Sequence, residues 1–464
     1  MSDRVKPRPA SASKSRRAPS KGNRRSSNKK PADDAAGSPI RRFFLLLGPG
    51  LISGASDDDP SGIATYAQAG ATFKYTTLWT VPVTLPMMMA VQEICDRTAL
   101  VTGKSLGTLA REKFGQRIRI VVGVLLVALV AANTLNLAAD LMAIGQGMAL
   151  LHAGPAPLWS AIAGVAIAAA LIFGSVKTIT KIFKWLCVAL LSYIGVLFAT
   201  HLNWGSVWAG LVGIGFSFKL AYLGIIVAIL GTTISPYLFF WESAQRIEEL
   251  RDENPHGDTA RPLSEASIAR GKKALLHTRI DVFTGMGFSA LVMFAIIAAT
   301  AATLGDKGES IGSAADAAKA LEPIAGPASS VLFALGFIGS GVLAVPVLAA
   351  SGSAGLAGLL GKPWGLERSP KKAPVFYGLI AVGTIGGTVL AVIGLDPIRL
   401  LVFSATVNGI AAAPFLIVTM LIARDKKLMG KHRNGRLAST IGWVTAGVMC
   451  IAGVIGLWQT LTGG

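Results

Sequence analysis

Three adjacent carboxylates, Asp57, Asp58 and Asp59, stand inside an apolar run and are followed at once by Pro60, Ser61 and Gly62. An ionised Asp at the centre of a membrane helix costs about 2.5–3.5 kcal/mol on insertion scales, so three on a lipid-facing helix would be prohibitive. Pro60 removes a backbone donor and clashes with the preceding turn, while Gly48, Gly50, Gly54 and Gly62 tolerate unusual dihedrals. The chain is therefore expected to unwind here, which is tolerated at membrane depth only where protein or a water-filled cavity surrounds it. Far downstream, Gly231-Thr232-Thr233-Ile234-Ser235-Pro236-Tyr237 repeats the pattern of glycine, small hydroxyls and proline within an apolar helix. Alone it reads as a kink; paired with the aspartates it marks a binding site built from two interrupted helices. Carboxylate, hydroxyl and freed carbonyl oxygens suit hard cations such as Mg²⁺, Ca²⁺ or Mn²⁺, whereas softer metals favour sulfur.

The elements that must position these groups are membrane helices. Of 464 residues, 52% are hydrophobic and 15% charged, against about 25% charged in soluble domains. That balance excludes an ordinary soluble enzyme and a disordered chain. A span needs about 20 apolar residues, and eleven blocks qualify, near 43–72, 76–100, 119–149, 155–175, 182–201, 218–243, 280–303, 328–352, 375–394, 396–423 and 438–458. The interrupted blocks are the first and the sixth, the opening helices of two five-span units. The expected fold is an all-α integral membrane protein with a 5+5 inverted repeat, an added eleventh helix, and spans 1 and 6 unwound in the middle.

Charge sets the orientation. Net charge is +19, but residues 1–42 hold 13 Lys/Arg against 3 Asp/Glu. This segment, rich in Ser and Pro, reads as a disordered tail near anionic lipid rather than as a nucleic-acid binder. It has no apolar stretch before Phe43, so no cleavable signal peptide is expected. With eleven spans and the tail inside, 38 of the 44 Lys/Arg fall in inside segments, as the bias toward positive cytoplasmic loops requires. The expectation is one membrane domain over 43–464 with a cytoplasmic N-terminus and an external C-terminus, in a prokaryotic inner membrane. The outer loop 304–327 is expected to carry a short surface helix. Cys95, Cys187 and Cys450 are too scattered for a disulfide framework or a CxxC metal site.

The residues from Gly48 to about Ile422 resemble the NRAMP superfamily of divalent-metal transporters. The resemblance rests on Gly48-Pro49-Gly50, on Asp59-Pro60-Ser61-Gly62 through Gln68-Ala69-Gly70-Ala71, and on Gln92 through Arg97 to Val101-Thr102-Gly103-Lys104. It implies the LeuT-like architecture. It also implies a metal site around Asp59, Gly62, Thr232 (by its carbonyl) and Ser235. Where typical members carry asparagine this chain has Gly62, and where they carry methionine and histidine around the sixth-span proline it has Ser235 and Tyr237. Losing the thioether removes the ligand that favours transition metals, and losing the amide widens the site. An ion keeping part of its water fits such a site, and Mg²⁺ dehydrates most reluctantly. The pattern resembles the NRAMP-related magnesium transporters, with Mg²⁺ the leading substrate and Mn²⁺ also accepted.

Typical relatives couple to protons through an acidic pair in span 3 and the sixth-span histidine. This chain has one acid there, Asp140, and Tyr237 titrates near about pH 10 when unperturbed. Uncoupled, potential-driven uptake by alternating access is therefore favoured, with a proton-coupled Mn²⁺/Fe²⁺ symporter as the alternative. Asp57 and Asp58 either draw cations to a vestibule or cap a half-helix. Thr406 and Asn408 in span 10 either face the site or bridge helices. Gln92 and Glu93 either line an inner vestibule or pair with Arg97 one turn away, the pairing being favoured, and the run Gly339-Ser340-Gly341 is expected to allow close helix packing. A sodium-coupled amino-acid carrier fits poorly, because the aspartates would repel a carboxylate substrate. An aspartyl protease using Asp59 and Asp140 lacks a motif for its second acid, and a continuous channel does not need two breaks. No enzymatic reaction, resident cofactor or obligate protein partner is expected.

Overall fold

The structure, a computed structural model, describes residues 54, 56–174, 194, 195, 197, 202–252, 260–263, 268–305, 311, 329–393 and 395–462. The basic tail, the Gly48–Gly50 motif, Cys187, most of the expected fifth span and most of the outer loop 304–327 lie outside these residues. All regular structure among the described residues is helical. The α-helices of eight or more residues are α1 (Pro60–Phe73), α2 (Thr80–Thr102), α3 (Leu106–Lys113), α4 (Gln116–Leu150), α5 (Ala156–Phe173), α6 (Trp204–Leu211), α7 (Leu220–Thr233), α8 (Pro236–Asp252), α9 (Ile268–Thr303), α10 (Ser329–Leu359), α11 (Pro374–Val392), α12 (Pro397–Ala423) and α13 (Arg436–Thr462).

Eight described helices or helix pairs are long and apolar enough to cross a membrane, α7 with α8 counting as one. A ninth is added if Pro60–Thr77 and Thr80–Thr102, which meet at 112°, are taken together. The expected spans 2–4 and 6–11 each coincide with one of these elements. Their ends differ where hydropathy stops but backbone hydrogen bonding continues. The segment between the expected spans 218–243 and 280–303 is shorter than those bounds imply, because α8 runs to Asp252 and α9 starts at Ile268. Two short helices, α3 and α6, were not anticipated. The second is started by Asn203, whose side chain accepts from the Ser206 N–H at 3.1 Å.

Packing relates the two units. α1 lies on α9, the second span of the other unit, and α8 lies on α2, the second span of the first. Such an exchange of partners is what two units in an inverted repeat give. The third spans of the two units, α4 and α10, run along each other. A Cβ at Gly341 would stand 2.7 Å from the Ile144 side chain, so the glycine allows that approach, as the small-residue run suggested. Gly231 does the same for α7 and α12: a Cβ there would lie 2.0 Å from the Ala405 carbonyl oxygen. Because the obstacle is backbone, Gly231→Ala is expected to cost about 1–3 kcal/mol by forcing the helices apart. Thermal unfolding in detergent checks this, and an unchanged midpoint would contradict the packing.

Ion pairs tie α2, α8 and α9 together at one end. Glu93 binds Arg97 at 2.5 Å, as its spacing predicted, and also Arg279 at 2.9 Å. Asp96, almost fully buried, is held by two nitrogens of Arg246, which also pairs with Glu249 at 2.6 Å. Removing one partner of a buried pair strands the other charge and costs about 3–5 kcal/mol. Asp96→Ala is therefore expected to destabilise by about 3 kcal/mol, read by the same thermal unfolding. A loss no larger than that of Glu112→Ala, whose pair with Lys104 is exposed, would refute it.

Candidate metal site

The first helix breaks where the carboxylates are. Gly54, Ser56 and Asp57 are helical, Asp58 bends, Asp59 is extended, and α1 starts at Pro60. Proline at the first helical position gives up an N–H that would have had no partner anyway. Asp59 then acts as the N-cap. Its Oδ1 accepts from the Gly62 N–H at 2.7 Å and from Ser61 Oγ at 2.5 Å, beside the positive end of the α1 dipole. Its Oδ2 accepts from Asn136 Nδ2 at 3.2 Å and from the Tyr237 hydroxyl at 3.3 Å. That hydroxyl also points at the Ser56 carbonyl, 3.3 Å away. Tyr237 thus links the first break to the second.

The second break, like the first, is two residues long. α7 ends at Thr233, Ile234 leaves helical geometry (φ −120°, ψ 55°), and α8 begins at Pro236. Ser235 Oγ lies 2.7 Å from the Gly231 carbonyl and 2.9 Å from that of Thr232. Its proton is therefore directed at the end of α7, and only its lone pairs remain for an ion. The Thr232 side chain faces Gly62: a Cβ at Gly62 would lie 2.9 Å from Thr232 Oγ1 and 3.5 Å from the Tyr66 ring. Asp59, Gly62, Thr232, Ser235 and Tyr237 are all buried in this region.

The other candidates fall differently. Asp57 and Asp58 do not cap α1, since Asp59 occupies that position, and both are fully buried rather than set in an open vestibule. They share the Ser289 hydroxyl of α9, 2.7 Å from Asp57 Oδ2 and 3.1 Å from Asp58 Oδ1. Asp140 on α4 is fully buried within electrostatic reach of Asp59. Neither of its oxygens has a hydrogen-bond partner among the described residues. On α12, Thr406 donates to the Val402 carbonyl of its own helix at 3.0 Å. Asn408 is buried with both side-chain polar atoms unpartnered among the described residues. Neither hydrogen-bonds to Asp59.

Asn136 and Ser289 were not given roles from the sequence. Asn136 carried a usable signal: with Asn133 and Asp140 it forms a polar stripe at i, i+3 and i+7 along α4. Ser289 carried none, being one small polar residue in an apolar helix. Among the described residues no three of His, Cys, Asp and Glu converge closely enough to hold a bare metal ion.

Comparison with solved structures supports the helical arrangement. The crystal structure of the Eremococcus coleocola manganese transporter aligns with a TM-score of 0.70 and 17% identity, covering 92% of this chain and 89% of that one. The nucleobase-cation-symport-1 family transporter Mhp1 aligns with a TM-score of 0.50, covering 89% of each chain. The fold is thus the LeuT-like inverted repeat. Relatives named divalent metal cation transporter MntH, from Deinococcus radiodurans and Mycobacterium tuberculosis, are each 26% identical. Those alignments cover 91% of this chain and 92% and 94% of the two relatives. The profile of the natural resistance-associated macrophage protein-like (Nramp) family matches residues 50–459, and with the interrupted helices, the buried Asp59 and this match together, the chain is an integral membrane protein that belongs to the Nramp family.

Proposed function

We propose that this chain is a secondary transporter for divalent metal cations, carrying chiefly Mg²⁺ and also Mn²⁺ into the cell by alternating access. The ion is bound with part of its water shell and moves without a coupled proton. One observation carries the reading: Asp59, at the first break, is surrounded by the oxygen and nitrogen groups of Ser61, Gly62, Asn136 and Tyr237. Ser235 stands at the second break where a sulfur ligand would select transition metals. Contact through retained water suits the slow dehydration of Mg²⁺. The MntH relatives' names supply the cation class. Asp59, Gly62, Thr232 and Ser235 form the ion's surroundings in this reading.

Transport into a negative interior needs no second ion. The membrane potential contributes about 2.3 kcal/mol per charge per 100 mV, hence about twice that for a divalent cation. The Lys/Arg distribution supports a cytoplasmic basic tail against anionic lipid and an external C-terminus. The bacterial relatives support an inner-membrane location.

A second reading, proton-coupled Mn²⁺/Fe²⁺ symport, is favoured by the bare oxygens of Asp140 beside Asp59. A lumenal pH dye in proteoliposomes separates the two. Mn²⁺ uptake is expected to proceed with no lumenal acidification. Acidification that requires the metal and disappears in Asp140→Asn would replace uncoupled uptake by symport.

A further inference from the structure

Asp57 and Asp58 pose an electrostatic problem that Asp59 does not. Asp59 receives four donors shared over both oxygens. Asp57 and Asp58, both fully buried, receive between them the single hydroxyl of Ser289. A serine has one proton and can serve only one of them at a time. Asp57 Oδ1 and Asp58 Oδ2 have no partner among the described residues. An unpaired buried charge costs several kcal/mol, and buried charges are ordinarily paired or bound to metal.

A second group points to the same place. Tyr66 on α1 is fully buried, and its hydroxyl, which lies beside the Thr232 side chain, has no hydrogen-bond partner of good geometry among the described residues. Asp57, Asp58 and Asp59 all lie within electrostatic reach of it. The hydrogen bonds of the pair run to a different helix from those of Asp59. Asp59 turns to Asn136 on α4 and Tyr237 on α8, whereas Asp57 and Asp58 turn to Ser289 on α9.

We propose that Asp57, Asp58, Ser289 and Tyr66 form a second cation site, between the first break and α9, that binds a hard divalent ion independently of Asp59. Two carboxylates match a double positive charge, and carboxylate and hydroxyl oxygens are the ligands that Mg²⁺ and Mn²⁺ accept. The inference goes beyond the transport reading, which needs only Asp59.

Equilibrium dialysis of the purified full chain against Mn²⁺ tests it by stoichiometry. Two Mn²⁺ per chain are expected for the wild type, one for Asp59→Ala, and one for the double variant Asp57→Asn, Asp58→Asn. The ion retained by the double variant also shows that it is folded. A single Mn²⁺ in the wild type, with the two aspartates merely sharing a proton, would overturn the proposal, as would two Mn²⁺ in the double variant. Should that variant not fold, Ser289→Ala in the Asp59→Ala chain is expected to weaken the remaining Mn²⁺ at least about tenfold, equivalent to about 1.4 kcal/mol. Unchanged affinity there overturns it. Failure of the Asp59 assignment is distinguishable, since it appears as two ions persisting in Asp59→Ala alone.

Discussion

Proteoliposomes carrying Asp59→Ala are expected to take up Mn²⁺ at less than about one hundredth of the wild-type rate, a loss of about 2.7 kcal/mol or more. Alanine removes two things, the charge that attracts the ion and the N-cap of α1. Asp59→Asn separates them. Asparagine caps a helix about as well as aspartate, and its oxygen can still accept from Ser61 and Gly62. Its amide then faces Asn136, whose own oxygen is unpartnered among the described residues and can turn to receive it. Both variants should therefore lose uptake, while the alanine variant alone loses about 1 kcal/mol of stability with its cap. Uptake by Asp59→Asn at a rate near the wild type would show that the charge at this position does not hold the ion.

The second large effect concerns selectivity. Mg²⁺ is expected to suppress Mn²⁺ uptake by the wild type about tenfold when saturating Mn²⁺ meets a tenfold excess of Mg²⁺ of comparable affinity. In the double variant Gly62→Asn, Ser235→Met that competition should largely vanish. The asparagine enters where a Cβ already approaches Thr232 Oγ1 to 2.9 Å, so the Thr232 side chain must turn and the site narrows. The methionine brings a thioether to the second break, a ligand that suits transition metals and not Mg²⁺. Parallel Mn²⁺ uptake curves with and without Mg²⁺ in the two proteins provide the check. Equal competition in both would mean that residues 62 and 235 do not set the preference.

The two breaks were legible in the sequence because proline and charge inside an apolar run contradict a continuous helix in any packing. Their internal arrangement was less so. Pro60 was read as a helix breaker, whereas in the structure it starts α1 and thereby makes Asp59 the cap. The preference of proline for the first helical position contains that answer. The same holds at Pro236, the first residue of α8. Spans were legible to within a few residues where the apolar run ends in a turn, as at α12. They were misjudged at α8 and α9, where charged residues prolong a helix beyond its apolar part. The pairing of Glu93 with Arg97 follows from helical spacing alone, but the addition of Arg279 depends on how α9 crosses α2. Ser289 is the extreme case. Its contact with Asp57 and Asp58 joins residues more than two hundred positions apart, and nothing local distinguishes it from other serines in apolar helices.

Asp140 bears on the coupling question by its position. It lies one helical turn beyond Asn136, which donates to Asp59, so a charge on Asp140 is felt at Asp59. A proton or an ion at one of the two acids therefore changes the cost of charge at the other.

The most direct measurement follows Mg²⁺ itself, with a Mg²⁺-sensitive dye inside proteoliposomes of the wild-type chain held at an inside-negative potential. Lumenal Mg²⁺ should rise, faster as the potential is made more negative, and should not rise with Asp59→Asn. Entry of Mn²⁺ under the same conditions with no entry of Mg²⁺ would contradict a hydrated hard ion as the cargo of this site.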